Sequence, residues 1–184
     1  MLGSLEVIVG PMFSGKSEEL IRRLSRREIA GDMLHVFKPY IDLRTSDEIV
    51  SRSGYRMKAI VLTDKTLFQE WRGYPVSMKK MGVKTVGVDE AQFFDKSIVS
   101  FVRSTQEQGI NIIVSGLDTD FARQPFGMMP YLLAMATDVT KLTAICHNCG
   151  ADAHYTYRKS NDKEQIIVGD TDIYEAACGE CYGR

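Results

Sequence analysis

Long apolar runs are absent: no stretch of about 18 consecutive apolar residues occurs, so no segment reads as a membrane-spanning helix. No basic start followed by an apolar core and a cleavage site is visible, so no signal peptide is read. Charge of a single sign is missing too. Twenty-three Lys and Arg stand against 24 Asp and Glu, a net charge of −1, which argues against a partner made mainly of nucleic-acid phosphates. The first 145 residues hold no cysteine; all four lie in two short pairs, Cys146 with Cys149 and Cys178 with Cys181. The expectation is a soluble cytosolic protein, and in that reducing compartment a disulfide framework is not expected. There is no internal repeat and no low-complexity tract.

The 184 residues are 44% hydrophobic, enough for one domain with a sizeable core and a small appendage. Gly10-Pro11-Met12-Phe13-Ser14-Gly15-Lys16-Ser17 is a complete G-x-x-x-x-G-K-[ST] phosphate loop. It follows the strand-like Leu5-Glu6-Val7-Ile8-Val9 and precedes an amphipathic helical stretch from Glu18 to about Ile29, with Leu20, Ile21 and Leu24 on one face. Glycines let the backbone curl, and its N–H groups with the helix N-terminus face a phosphate. Lys16 reaches the β- and γ-phosphates, and the Ser17 hydroxyl is a ligand for Mg²⁺.

The sequence up to residue 145 alternates strand-like and helix-like segments. Strands are expected at 33–37, 59–62, 84–88, 110–114 and 139–145, and helices at about 98–109 and 131–136. Residues 38–56 are polar and aperiodic, an ordered loop or a lid, and 66–81 are ambiguous because Gly73 and Pro75 interrupt a helical pattern. This alternation implies an α/β fold, a phosphate-loop NTPase-like, mostly parallel sheet flanked by helices, with ligands at the carboxyl ends of its strands. After 145 the texture becomes polar, with glycines and cysteines. The expected division is a phosphate-loop core at 1–145 and a small cysteine-bearing unit at 146–184.

The 84–88 strand ends in Asp89-Glu90. Asp89 suits a Mg²⁺ ligand, often through water. Glu90, one residue further toward the ligand, can orient an attacking hydroxyl and take its proton in a late transition state. The four cysteines suit a closed, tetrahedral, structural Zn²⁺ site. Free thiols and redox pairs are the competing readings, and His147 or His154 could replace a thiolate. The loop between the pairs, with Tyr155-Thr156-Tyr157-Arg158, then Ile166-Ile167-Val168-Gly169, then Ile173-Tyr174, reads as two short strands with a polar connection through Ser160 to Lys163. They form either a hairpin packed on its own metal site or a lid over a second substrate.

These motifs in this order resemble the type II, zinc-containing thymidine kinases: the phosphate loop, Lys38-Pro39-Tyr40-Ile41-Asp42-Leu43-Arg44, Asp89-Glu90-Ala91-Gln92-Phe93-Phe94, Gly116-Leu117-Asp118 with Phe121 and Pro125-Phe126-Gly127, and both cysteine pairs. The resemblance implies ATP-dependent phosphorylation of the thymidine 5′-hydroxyl to dTMP, feedback inhibition by dTTP and a homotetramer. It implies Glu90 as general base, with Arg44 and Lys16 also catalytic. Asp89 and Gln92 join residues Gly10 to Ser17 in holding ATP, and Ser17 and Asp89 serve magnesium. Met12, Asp42, Leu117, Phe121, Phe126, Thr156, Ile167, Val168, Gly169 and Tyr174 hold the nucleoside, and Cys146, Cys149, Cys178 and Cys181 hold zinc. The sequence departs from the pattern at Asp170, where paired glycines are common, at Arg52, where His is common, and at Thr45, where an aromatic is frequent. A different phosphate-loop kinase or NTPase, and a zinc-ribbon nucleic-acid module on an ATPase core, are the competing functions.

Overall fold

Alternating side chains of the apolar strands divide between two faces of one sheet. A computed structural model describes residues 1–41, 47–62, 73–160, 162, 164–167 and 169–183. Strands β1 (Leu5–Val9), β2 (Met33–Pro39), β5 (Ile60–Leu62), β6 (Val83–Val88), β7 (Asn111–Gly116) and β8 (Asp138–Lys141) form a six-stranded sheet in the order β5-β2-β6-β7-β1-β8. Every pairing within it is parallel. Such a sheet needs cover on both faces.

Helix α1 (Lys16–Ile29) covers one face, packing Leu20, Ile21 and Leu24 against Ile8, Val36 and Ile113. Its first turn carries Glu18 and Glu19 and its last Arg26 and Arg27, charges that complement the helix dipole. Helices α2 (Tyr74–Met81), α3 (Ser97–Glu107) and α4 (Met129–Met135) cover the other, where Val7, Val9, Val88, Ile112 and Val114 meet Met78, Ile98, Phe101, Val102 and Leu132. The ambiguous stretch is resolved in part: Pro75 occupies the first turn of α2, where a missing N–H costs nothing, and the rest of that stretch lies outside the described residues.

Three expectations are corrected. Residues 139–145 are not one strand: β8 ends at Lys141, and β9 (Ala144–Ile145) pairs instead with β10 (Asp152–Ala153) in a separate ribbon. The aperiodic 38–56 segment contains a small antiparallel hairpin of β3 (Glu48–Val50) and β4 (Arg56–Lys58). In the cysteine-flanked loop, β11 (Tyr155–Arg158) pairs with β12 (Tyr174–Ala177), not with the Ile166-Ile167 run. Ala176 and Ala177 are buried there, whereas Ile166 and Ile167 face a cavity, which is why the more β-branched run is not the strand. Among the described residues no helix is long and apolar enough to cross a membrane.

Candidate active site

β1, β6 and β7 end at one edge of the sheet, and β7 lies between the other two. Gly10 follows β1 at φ +149°, and a Cβ there would meet the Leu142 carbonyl oxygen at 2.5 Å, so only glycine lets the chain turn at this point. Gly15, at φ +82°, is the left-handed residue from which α1 starts. Lys16 Nζ reaches back to donate to the Pro11 carbonyl at 2.6 Å, and Ser14 Oγ donates to the same oxygen at 2.8 Å.

Ser17, in the first turn of α1, donates to Asp89 Oδ2 at 3.0 Å. Ser115, at the end of β7, donates to Asp89 Oδ1. Asp89 is 3% exposed, so its carboxylate is set by these two hydroxyls and by the Glu90 N–H at 3.0 Å. The Ser17 and Asp89 oxygens are adjacent hard donors of the type Mg²⁺ takes, and they fit the ion. Glu90 stands in the left-handed region (φ 51°, ψ 44°), a conformation that costs a non-glycine residue about 1–2 kcal/mol. The turn aims its side chain into a cavity, where Gln92 Nε2 donates to Glu90 Oε2 at 2.6 Å. Phe13, on the phosphate loop, is left-handed as well (φ 68°) and lines the same cavity.

That cavity has a volume of about 550 Å³ and is continuous from the phosphate loop to the β11–β12 flap. Met12, Lys16, Ser17 and Glu90 line one part, and Leu117, Phe121, Phe126, Thr156, Ile167, Gly169 and Tyr174 line the other. Gly10, Pro11 and Ser14 complete the loop, while Asp89 lies beneath it. Gln92 bridges Glu90 to the backbone N–H of Leu117, at 3.0 Å. Asp42, Arg44 and Val168 lie outside the described residues.

The flap is fastened to the loop at Thr156, whose Oγ1 accepts from the Met12 N–H at 2.9 Å. Sequence reading missed the role of Arg158. Its side chain is 5% exposed, its guanidinium lies 3.6 Å above the Phe121 ring, and it donates to the Gln165 carbonyl at 3.0 Å and to Tyr174 Oη at 2.7 Å. Tyr174 Oη in turn donates to the Ile167 carbonyl at 2.9 Å. An alternating strand with one inward arginine was the available signal, since a buried guanidinium must find acceptors.

The four cysteine sulfurs lie within 4.8 Å of one another, and Cys149 Sγ is 3.6 Å from Cys178 Sγ. A disulfide needs about 2.05 Å, whereas a tetrahedron with Zn–S of about 2.3 Å has edges of about 3.8 Å; the cluster therefore fits zinc. Backbone hydrogen bonds at Cys178 and Cys149 bring the Cys146 thiol down to about 6, and side-chain hydrogen bonds from Cys149 and Cys178 push Cys181 up to about 12. Four thiolates side by side repel, and a cation at their centre would relieve that repulsion. Cys146, Cys178, Ala144, Ala153 and Ala176 form a small core against which Phe13 of the phosphate loop packs.

Fold and site together define a phosphate-loop NTPase-like protein. Among solved structures, the genome packaging NTPase of Sulfolobus turreted icosahedral virus 2, in complex with ATP-γS, superposes with a TM-score of 0.53 at 17% identity, covering 76% of this chain and 74% of that one, a likeness of fold. The family described as "Thymidine kinase" matches residues 3–182. The thymidine kinase of Mycoplasma mobile is 44% identical over 98% of this chain and 87% of its own length, and that of Deinococcus radiodurans 45% identical over 95% and 87%. The chain belongs to the thymidine kinase family.

Proposed function

We propose that this chain transfers the γ-phosphoryl group of ATP to the 5′-hydroxyl of thymidine, giving ADP and dTMP. The observation that carries the reading is the single cavity that joins Lys16, Ser17 and Glu90 to an apolar and aromatic wall under the flap. The amides of the phosphate loop and the Lys16 ammonium hold the phosphates; Lys16, which sits on the Pro11 carbonyl, exchanges that acceptor for phosphate oxygens. Magnesium, when bound, neutralises charge on the β- and γ-phosphates; Ser17 and Asp89 would hold it. The thymidine hydroxyl oxygen bonds to the γ-phosphorus as the bridge to the β-phosphate breaks. Its proton passes to the Glu90 carboxylate, and ADP leaves. Arg44 belongs to the same reading as a counter-charge to the transferred group, and Asp42 as a substrate contact.

Phe121, Phe126, Leu117, Met12 and Tyr174 receive the flat face of thymine, and Thr156 with the backbone near Ile167, Val168 and Gly169 reads its polar edges. The methyl group adds about 1–3 kcal/mol of discrimination. Residues 1–145 act as the kinase core and 146–184 as the zinc-anchored flap, held by Cys146, Cys149, Cys178 and Cys181. A flap that closes keeps water from intercepting the phosphoryl group. A thymidine triphosphate carries both a base for the flap and phosphates for the loop, which supports end-product inhibition by dTTP. A cytoplasmic homotetramer completes the reading on family resemblance. The test is incubation of the protein with Mg²⁺, ATP and each deoxynucleoside, with chromatography of the products. Thymidine should convert to dTMP faster than any other nucleoside; formation of no monophosphate overturns the proposal.

A further inference from the structure

We infer that Arg52 and Asp170 are positioning residues: they form a clasp that holds the nucleoside flap against the phosphate loop. This deepens the kinase reading of the cavity and rests on it.

Arg52 is at the tip of the β3–β4 hairpin. Its guanidinium lies 4.3 Å above the Phe13 ring and forms an ion pair with the carboxylate of Asp170. Three segments far apart in sequence meet there: the phosphate loop, the hairpin tip and the flap. Each is locally fixed. At the hairpin tip the Ser51 N–H donates to the Tyr55 carbonyl at 2.9 Å, and the tip is braced on α1 where Ser53 Oγ donates to Glu18 Oε2. On the flap the Asp170 carbonyl accepts from the N–H groups of Ile173 (3.0 Å) and Tyr174 (2.8 Å), so Asp170 opens the turn that delivers Tyr174 to the cavity. On the loop, Phe13 is held between the small core of the cysteine cluster and the Arg52 guanidinium.

The clasp therefore fastens the outer end of the flap, while the Thr156–Met12 hydrogen bond fastens its base. Arg52 and Asp170 both line the cavity, and their side chains are 53% and 49% exposed. An ion pair this exposed is weak and sensitive to salt, and a cation over an exposed ring adds a similar small amount. A weak fastening suits a flap that must open to admit nucleoside and release product. The clasp biases the flap toward closure, and it touches the loop that binds the other substrate. It thereby links the two halves of the cavity.

The test uses Arg52→Gln, Asp170→Asn and the double variant in the full-length protein. Hydrogen exchange of the amides from 164 to 173 is read without ligand, and KM for thymidine and kcat are read with saturating ATP. Each single variant should speed exchange in the flap and raise KM for thymidine about threefold, with kcat changed less than twofold. The double variant should resemble the worse single one, because either change alone opens the clasp. At high salt the wild type should approach the variants. Wild-type exchange in both single variants, or fully additive effects in the double, overturns the clasp. Should the wild type phosphorylate no nucleoside, the kinase reading fails by itself, and the exchange data alone decide the clasp.

Discussion

The floor of the cavity and its flap are built by opposite means. The floor is the edge of a parallel sheet whose central strands β1, β6 and β7 are largely buried, with its polar groups fixed by glycine turns at 10 and 15 and by Asp89 held by Ser17 and Ser115. Among the described residues the flap has only the small core of Ala144, Cys146, Ala153, Ala176 and Cys178. It depends on a four-cysteine cluster, on one buried arginine that gathers carbonyls, and on single contacts at Thr156 and Asp170. A rigid floor suits a reaction that needs preorganised charge. A thinly fastened flap suits exchange of substrate and product. Floor changes should therefore appear in kcat, and flap changes in KM for thymidine.

The largest effect is expected at Glu90. Glu90→Gln keeps the volume and still accepts from Gln92, so thymidine and ATP should bind within a few-fold of wild type. Loss of the proton acceptor should lower kcat about 10²- to 10⁴-fold. Steady-state kinetics with binding calorimetry separates the two, and near-normal kcat would remove Glu90 from the reaction. Lys16→Met should lower kcat on the order of 100-fold, because one cationic donor is lost where charge develops. It should weaken ATP more than thymidine; equal weakening of both substrates would blur the distinction between floor and flap.

On the flap side, Cys178→Ser should remove the metal, which elemental analysis should find at about one zinc per chain in the wild type. Affinity for thymidine should fall about tenfold or more, while the sheet still melts cooperatively. A flap that keeps thymidine affinity without zinc would show that the cluster does not anchor it.

The smallest effect is at the back of the floor, where Glu19 on α1 pairs with Arg22 at 2.6 Å and Arg23 at 2.7 Å. Those hydrogen bonds bring its carboxyl down from 4.5 to about 2. A carboxylate depressed by folding stabilises fully above its unfolded value and loses that contribution as pH falls through the folded one. Glu19→Gln should lower the melting temperature by about 3 °C at pH 7, for a partly exposed network of about 1 kcal/mol. The difference from wild type should shrink from about pH 4.5 downward and vanish only below about pH 2. A constant difference across that range would contradict the ion-pair origin.

The same contrast decided what the sequence disclosed. β1, β6, β7 and α1 are legible because their apolar residues repeat with the period of their element and the phosphate-loop residues follow a fixed spacing. The cysteine pairs announce their own clustering. The break between β8 and β9 is not legible, since Val139, Leu142, Ala144 and Ile145 make one apolar series and nothing local says that the chain leaves one sheet for another. Nor is the choice of Tyr174–Ala177 over Ile166 and Ile167 as partner for β11, because it depends on which side chains find a buried place beside the cysteines. Arg52 and Asp170 meet across 118 residues, a pairing that no local spacing encodes.

The central claim is that floor and flap hold two parts of one reacting pair. Its most direct measurement follows the label from γ-labelled ATP in the presence of Mg²⁺ and thymidine. The account predicts label recovered in dTMP, with recovery nearly abolished by Glu90→Gln. Label recovered only as inorganic phosphate, with thymidine unchanged, would contradict it.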